Sequence, residues 1–253
     1  MILKLIKRLF QKEQPKKSHS YKYYIKNKLP FVIRGGAKKL LAFEKWTDEY
    51  LVEKIGDYEL DVEVSANKIF NPDSPNAKCE LIGMKLKDYI KRYNKNFISS
   101  KQYFLPQVSI PTETNILSDD VVRTDLLKLM NSTRRTKYKK RKPLDVLFFL
   151  GNNNNVTPMH TDSYHNFYHM LDGEKDILLI PPRYTKQIKQ YTKFNHLNIP
   201  DIENIDYNKY PAMKDIPITK VHLNKGDLLY IPYECWHQMK GCKGRNLAVA
   251  LWF

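Results

Sequence analysis

Gly226-Asp227-Leu228-Leu229-Tyr230-Ile231-Pro232, followed by Trp236-His237, reads as a tight turn feeding a short apolar strand that stops at a proline. The pattern recurs on both sides. Residues 146–150, 177–180 and 247–253 are equally short runs rich in branched and aromatic side chains, with Pro, Gly and Asn between them. Short strands punctuated this way indicate a β-sandwich or barrel from Leu144 onward. The stretch 184–215 is longer, polar and irregular, and reads as an insert between strands.

Upstream the pattern is mixed. Pro30 to Gly36 suggests a strand ending in a turn. The spacing of Trp46, Tyr50, Leu51 and Ile55 predicts one helix over 40–55. A strand is expected over 58–64, and helices over 86–93 and 119–130. The fold class expected is mainly β with flanking helices. Residues 1–28 form a basic N-terminal tail, 29–143 a mixed α+β flanking part and 144–253 the barrel core.

The net charge of +16 is unevenly placed. Residues 1–40 contribute +11, and the run Arg134-Arg135-Thr136-Lys137-Tyr138-Lys139-Lys140-Arg141-Lys142 contributes +7, so the remaining body is close to neutral. No apolar run approaches the roughly 20 residues of a membrane span, and no secretory signal is evident. Three cysteines at unrelated spacings (Cys79, Cys235, Cys242) fit a reducing, intracellular compartment, cytoplasmic or nuclear.

The chemistry concentrates in two segments. Asn155-Val156-Thr157-Pro158-Met159-His160-Thr161-Asp162 places His160 and Asp162 two apart, so on a strand both would reach the same face. A barrel can bring His237 to them. Two imidazoles and one carboxylate are the ligand set of a non-haem Fe(II) centre with open coordination positions. For each residue alone, an ordinary structural role is the alternative: a surface lysine for Lys175, a core tyrosine for Tyr103, a core tryptophan for Trp252. His165 and His169, close to the motif, read as supporting or surface residues.

The whole pattern adds Asn166-Phe167, Gly173, Lys175, Ile180-Pro181-Pro182, the Lys225-to-Pro232 stretch with Trp236-His237, and a final strand carrying Trp252. It resembles the JmjC or cupin-like 2-oxoglutarate oxygenases over residues 29–253, with its nearest likeness to the asparaginyl hydroxylases among them. The resemblance implies a double-stranded β-helix, or jelly roll, with iron near one open end. By matched position His160, Asp162 and His237 are the Fe(II) ligands and the catalytic set. Lys175 pairs with the distal carboxylate of 2-oxoglutarate, Thr157 and Tyr103 hydrogen-bond it, Asn166 lies beside metal and cosubstrate, and Trp252 walls the pocket. The implied reaction consumes dioxygen and 2-oxoglutarate and hydroxylates a protein side chain. Hydroxylation of RNA or a nucleotide, lysine demethylation, and a catalytically inactive binding module are the alternatives. Where the asparaginyl hydroxylases carry an asparagine in the last strand, this chain has Ala250, so the contacts around the cosubstrate must differ. The basic run 134–142 is a candidate surface for an acidic protein segment or RNA. The helices through which those hydroxylases dimerise have no counterpart before Phe253, and the oligomeric state stays open.

Overall fold

The structure, a computed structural model, describes residues 21–93, 101–109, 117–121, 145–152 and 154–253. The basic run 134–142, the first twenty residues and most of the helix expected over 119–130 lie outside these. No helix of the described residues is long and apolar enough to cross a membrane.

The flanking part holds α1 (Tyr21–Lys26), β1 (Phe31–Ile33), α2 (Ala42–Lys45), α3 (Asp48–Ile55), β2 (Glu59–Ser65), β3 (Cys79–Lys85), α4 (Leu86–Tyr93), β4 (Gln102–Ser109) and α5 (Ser118–Val121). The second half holds β5 (Asp145–Asn152), β6 (Val156–His160), β7 (Asn166–Asp172), β8 (Lys175–Ile180), α6 (Thr185–Ile188), β9 (Thr192–Lys193), β10 (His196–Leu197), β11 (Thr219–Leu223), β12 (Leu228–Ile231), β13 (Trp236–Gly241) and β14 (Arg245–Trp252).

The strands pair into an eight-stranded sheet, β1-β12-β7-β14-β5-β4-β2-β3, and a six-stranded sheet, β11-β8-β13-β6-β10-β9. From β5 to β8, and again from β11 to β14, successive strands alternate between the two sheets. That winding is a jelly roll, the double-stranded β-helix expected from the sequence. The inter-sheet core includes Leu147, Tyr168, Met170, Ile177, Leu179, Leu229, Met239, Ala248 and Ala250. The outer face of the large sheet packs under the flanking helices, through residues such as Phe148, Phe167, Tyr230 and Val249. Both faces of these strands are therefore covered, which is why they read as continuous apolar runs rather than alternating ones.

Three local differences from the sequence reading have physical causes. Residues 21–26, assigned to the tail by charge, form α1: Tyr21 and Tyr24 pack on Phe31, and Ile25 is buried. The helix expected over 40–55 is broken into α2 and α3. Thr47 adopts an extended conformation and accepts a hydrogen bond from the Tyr50 amide, capping α3. The break is held by Asp120, which accepts from Lys45 Nζ (2.8 Å), Trp46 Nε1 (3.0 Å) and Tyr50 Oη (2.8 Å). Third, the polar insert 184–215 buries Ile188, Leu197, Ile199, Ile202 and Met213 against Leu178, Ile180 and Trp236, closing the outer face of the small sheet.

Burial alone would raise the Asp120 pKa, but its three donors hold it below the ordinary carboxylate value. Its stabilising contribution is present above the unfolded carboxylate pKa and is lost as pH falls through the lower folded one. Asp120→Ala is expected to destabilise the protein by about 2 kcal/mol, because it leaves the buried Trp46 Nε1 and the part-buried Tyr50 Oη without their acceptor. Urea denaturation measures this; a loss under about 1 kcal/mol would contradict the anchoring role.

Candidate metal and cosubstrate site

β6 and β13 are neighbours in the small sheet, and His160 and His237 are directly paired. Their rings lie 4.2 Å apart between centroids. The register shifts between His237 and Met239, so Thr157 pairs with Met239, an inter-sheet core residue, while His160 pairs with His237. The irregularity turns both Thr157 and His160 toward the interior, which even strand alternation would not do.

Asp162 lies two residues past the end of β6, in the following turn. It reaches the imidazoles because the turn is anchored, not because the pleat aims it. The Glu234 amide donates to the Asp162 carbonyl at 3.0 Å, and the Thr161 amide to the Asn195 carbonyl at 3.0 Å. Asp162 Oδ1 is 3.9 Å from His160 Nε2, and Oδ2 is 3.5 Å from His237 Nε2. The three ligand atoms lie within 4.8 Å of one another.

Electrostatics favours cation binding here. His160 Nδ1 faces the Pro158 carbonyl at 2.7 Å, and His237 Nδ1 faces the Cys235 carbonyl at 2.9 Å. A carbonyl can only accept, so each Nδ1 carries a proton and each Nε2, the atom each ring would offer a metal, faces Asp162. Burial, then the neighbouring His237, lowers the His160 pKa to about 4, so that ring is neutral at pH 7. Burial alone would depress His237, but the Asp162 carboxylate raises it, and the imidazoles in turn hold Asp162 ionised despite its own burial.

The second half of the site lies deeper in the barrel. On β8, Lys175 precedes the inward-facing Ile177 and Leu179 by even steps. Its side chain is 2% exposed, with Nζ 5.8 Å from the ring centroids of both Phe104 and Tyr168. Among the described residues no carboxylate lies in ion-pairing distance of it, and burial lowers its pKa to about 8. On β13, His237 and Gly241, the strand partner of Lys175, are four residues apart, about 13 Å along a strand. A lysine stem reaching back covers part of that span and leaves room for a short dicarboxylate.

The polar atoms around this space are buried and have no hydrogen-bond partner among the described residues: Asn166 Oδ1, Tyr168 Oη and Trp252 Nε1. Burying such groups is costly unless something pairs with them. Trp252 stacks on Tyr164, 5.1 Å between centroids, and packs against the inter-sheet core. A metal with open positions and a diacid reaching from it to Lys175 both fit the donors present.

One sequence expectation is corrected. Tyr103 does not face this space. It packs with Leu105 against the outer core, and its hydroxyl accepts from Arg92 Nη1 at 3.4 Å. Phe104, next along β4, points inward to Lys175. The hydroxyl in this region comes from Tyr168, which the sequence reading did not single out. Tyr168 on β7 pairs with Ala250 on β14, so the small residue where an asparagine was expected lies beside it. Sequence reasoning also missed His196 on β10. It is paired with His160, stacks on it at 5.8 Å, and is 2.9 Å from Asn71 Nδ2 through Nε2. Nothing in the spacing of the insert announces it. His165 is structural: Nδ1 accepts from the Tyr233 amide at 3.1 Å and lies 2.7 Å from Tyr230 Oη. His169 is buried, with Nδ1 3.3 Å from the Val249 carbonyl.

Comparison with known proteins agrees with this architecture. A model of the cupin-like domain matches residues 17–253. JmjC domain-containing protein D of Dictyostelium discoideum is 27% identical over 249 residues, covering 94% of this chain and 54% of that protein. Lysine-specific demethylase JMJ30 of Arabidopsis thaliana is 26% identical over 235 residues, covering 91% and 51%. Lysine-specific demethylase 8 of Xenopus tropicalis is 21% identical over 244 residues, covering 94% and 51%. The chain spans about half the length of the curated relatives it matches. These names set the likeness at the level of JmjC proteins; they do not single out an asparaginyl hydroxylase.

Proposed function

The chain belongs to the cupin-like domain family, whose JmjC members generally use Fe(II) and 2-oxoglutarate, and on that footing we propose that it is an Fe(II)- and 2-oxoglutarate-dependent dioxygenase hydroxylating a protein side chain. The observation that carries this reading is Lys175. An ammonium buried without a carboxylate is expensive, and it lies deep in the same barrel that gathers two imidazoles and a carboxylate nearer its rim. A dicarboxylate chelating the metal at one end accounts for both halves of the site.

In this reading His160 Nε2, His237 Nε2 and Asp162 hold the iron, and the Pro158 and Cys235 carbonyls fix the rings. Lys175, Tyr168 and Thr157 bind the distal carboxylate. Asn166 lies toward the chelating end, and Trp252 with Tyr164 walls the opening. The apolar barrel excludes water, so few groups suffice to orient the diacid. Iron and bound 2-oxoglutarate supply an oxidant for C–H bonds from dioxygen, with succinate and carbon dioxide as coproducts. We assign residues 144–253 as the catalytic barrel and 29–143 as its flanking support. The free cysteines Cys79, Cys235 and Cys242 suit an intracellular location.

A second reading, demethylation of N-methyl-lysine, is supported by the names of two relatives. Mass spectrometry of cellular proteins with and without the active enzyme separates the two. Gain of one oxygen supports hydroxylation; loss of a methyl group supports demethylation. The RNA alternative rests on the basic run alone, and an added oxygen found only in RNA would favour it.

The role given to Tyr168 has its own test. Tyr168→Phe removes one buried hydroxyl that has no partner among the described residues, so stability is expected to hold or rise slightly. The affinity for 2-oxoglutarate, measured by anaerobic titration of the iron-loaded protein, is expected to fall about tenfold, the worth of a hydrogen bond to a charged group. Unchanged affinity would remove Tyr168 from the site.

A further inference from the structure

A second set of metal-ligating side chains stands at the Lys175 end of the barrel, on its outer side. Asp176 follows Lys175 on β8 and points outward, opposite to Lys175 and Ile177. His222 on β11 is its register partner. Cys242 follows Gly241, the β13 partner of Lys175. One ligand atom from each of the three lies within 4.8 Å of the others, and His222 Nδ1 is 2.8 Å from Asp176 Oδ1.

The main chain fixes these positions. The Cys242 amide donates to the Glu174 carbonyl at 2.9 Å, Asn246 Nδ2 donates to the Cys242 carbonyl at 3.0 Å, and Arg34 Nη1 donates to the His222 carbonyl at 3.0 Å. His222 is 44% exposed, which gives an ion an entry path. A histidine–aspartate pair is ordinary on a surface. A thiol set against that pair, with Glu174 Oε2 3.7 Å from His222 Nε2 on the other side of the ring, is not. A thiol, an imidazole and a carboxylate, each with a ligand atom within 4.8 Å of the others, are what an ion of zinc size can draw together, at metal–ligand distances of about 2.0–2.3 Å.

We propose that Asp176, His222 and Cys242 form a site for zinc or a similar thiophilic divalent cation, with the fourth position open to water. It is separate from the His160–Asp162–His237 centre and does not depend on the reading of that centre. On binding, the cation takes the place of the proton between His222 and Asp176, and the neutral imidazole carries that proton on Nε2 instead, on the side of Glu174. The Cys242 S–H bond breaks, its proton goes to solvent, and a sulfur–metal bond forms without change of oxidation state. Burial and the nearby Asp176 and Glu174 keep that thiol protonated in the metal-free protein, and a divalent cation reverses this local balance. Lys220 Nζ, 2.9 Å from Asp176 Oδ2, also contacts Glu203 at 3.2 Å and can remain there when the carboxylate turns to the metal.

The test is titration of the full chain with Co²⁺, read by the near-ultraviolet thiolate-to-cobalt charge-transfer band. The band is expected in the wild type and in Asp162→Ala, which lacks the carboxylate of the other centre. It should vanish in Cys242→Ser while the thermal unfolding midpoint of the metal-free protein stays close to that of the wild type. His222→Gln, at an exposed position that the fold tolerates, should weaken Co²⁺ binding by about 100-fold. Absence of the band in the wild type, its survival in Cys242→Ser, or its loss in Cys79→Ser instead would overturn the proposal.

Discussion

Lys175→Met is expected to weaken 2-oxoglutarate binding by about 100-fold or more and, at the same time, to make the ligand-free protein more stable. The two effects share one cause. Burial lowers the Lys175 pKa from 10.5 in the unfolded chain to about 8 in the folded one. The unfolded chain therefore binds more protons between those values, so stability rises with pH across that window. Below about pH 8 the whole cost of burying the ammonium remains, on the order of 3 kcal/mol. Methionine keeps the length and apolar contacts of the side chain and removes that cost. The bound cosubstrate loses a buried charge-assisted contact, so its dissociation constant should rise by about 100-fold or more. In the wild type, affinity for 2-oxoglutarate should also decline as pH rises through about 8, where the free lysine loses its proton. Chemical denaturation at neutral pH, with anaerobic 2-oxoglutarate titration of both proteins, checks this. A destabilised Lys175→Met that binds the cosubstrate normally would show the lysine to be structural.

The second large effect is that of Asp162→Ala. Iron content is expected to fall to background, and succinate formation by at least about a hundredfold, the scale on which metal sites respond to lost supporting groups. The fold should survive. What places residue 162 is main chain, the Glu234 amide to its own carbonyl and the Thr161–Asn195 pair beside it, and these bonds remain. Metal analysis and thermal unfolding on the same preparation distinguish loss of a ligand from loss of structure. Retained iron and turnover would remove Asp162 from the ligand set.

The strands β5, β8, β12 and β14 were legible because both their faces are buried. Residues 228–231 and 247–253 are apolar without interruption, and the turns between strands carry glycines the geometry requires. Gly173 is the clearest case: its φ is +74°, and a Cβ there would fall 2.0 Å from the Arg245 carbonyl oxygen. That turn is what aims Lys175 inward. The triad residues were legible as a dense motif, but not the way Asp162 is positioned. It lies beyond the strand, held by contacts with residues 195 and 234 that no local pattern encodes.

The errors have one kind of origin. Assigning Tyr103 rather than Phe104 to the interior is a slip of one residue, and in a strand one residue reverses the face. The register of β4 against β5 shifts between Leu105 and Val108, so simple alternation gave no check. Tyr168 was not singled out because it is a core residue, and only its hydroxyl, unpaired among the described residues beside a buried lysine, marks a further role. The break between α2 and α3 depends on Asp120, more than seventy residues away in sequence. His196 reaches His160 only because the insert folds back as an added edge of the small sheet.

In the function proposed above, the triad and Lys175 hold the two ends of one cosubstrate. The most direct test of this is anaerobic addition of 2-oxoglutarate to the Fe(II)-loaded protein, followed by admission of oxygen. A visible metal-to-ligand charge-transfer band should appear, be absent in Asp162→Ala, need far more 2-oxoglutarate in Lys175→Met, and decay with oxygen as succinate forms. Iron-loaded wild type that develops no such band and yields no succinate would contradict the account and leave the barrel a binding module.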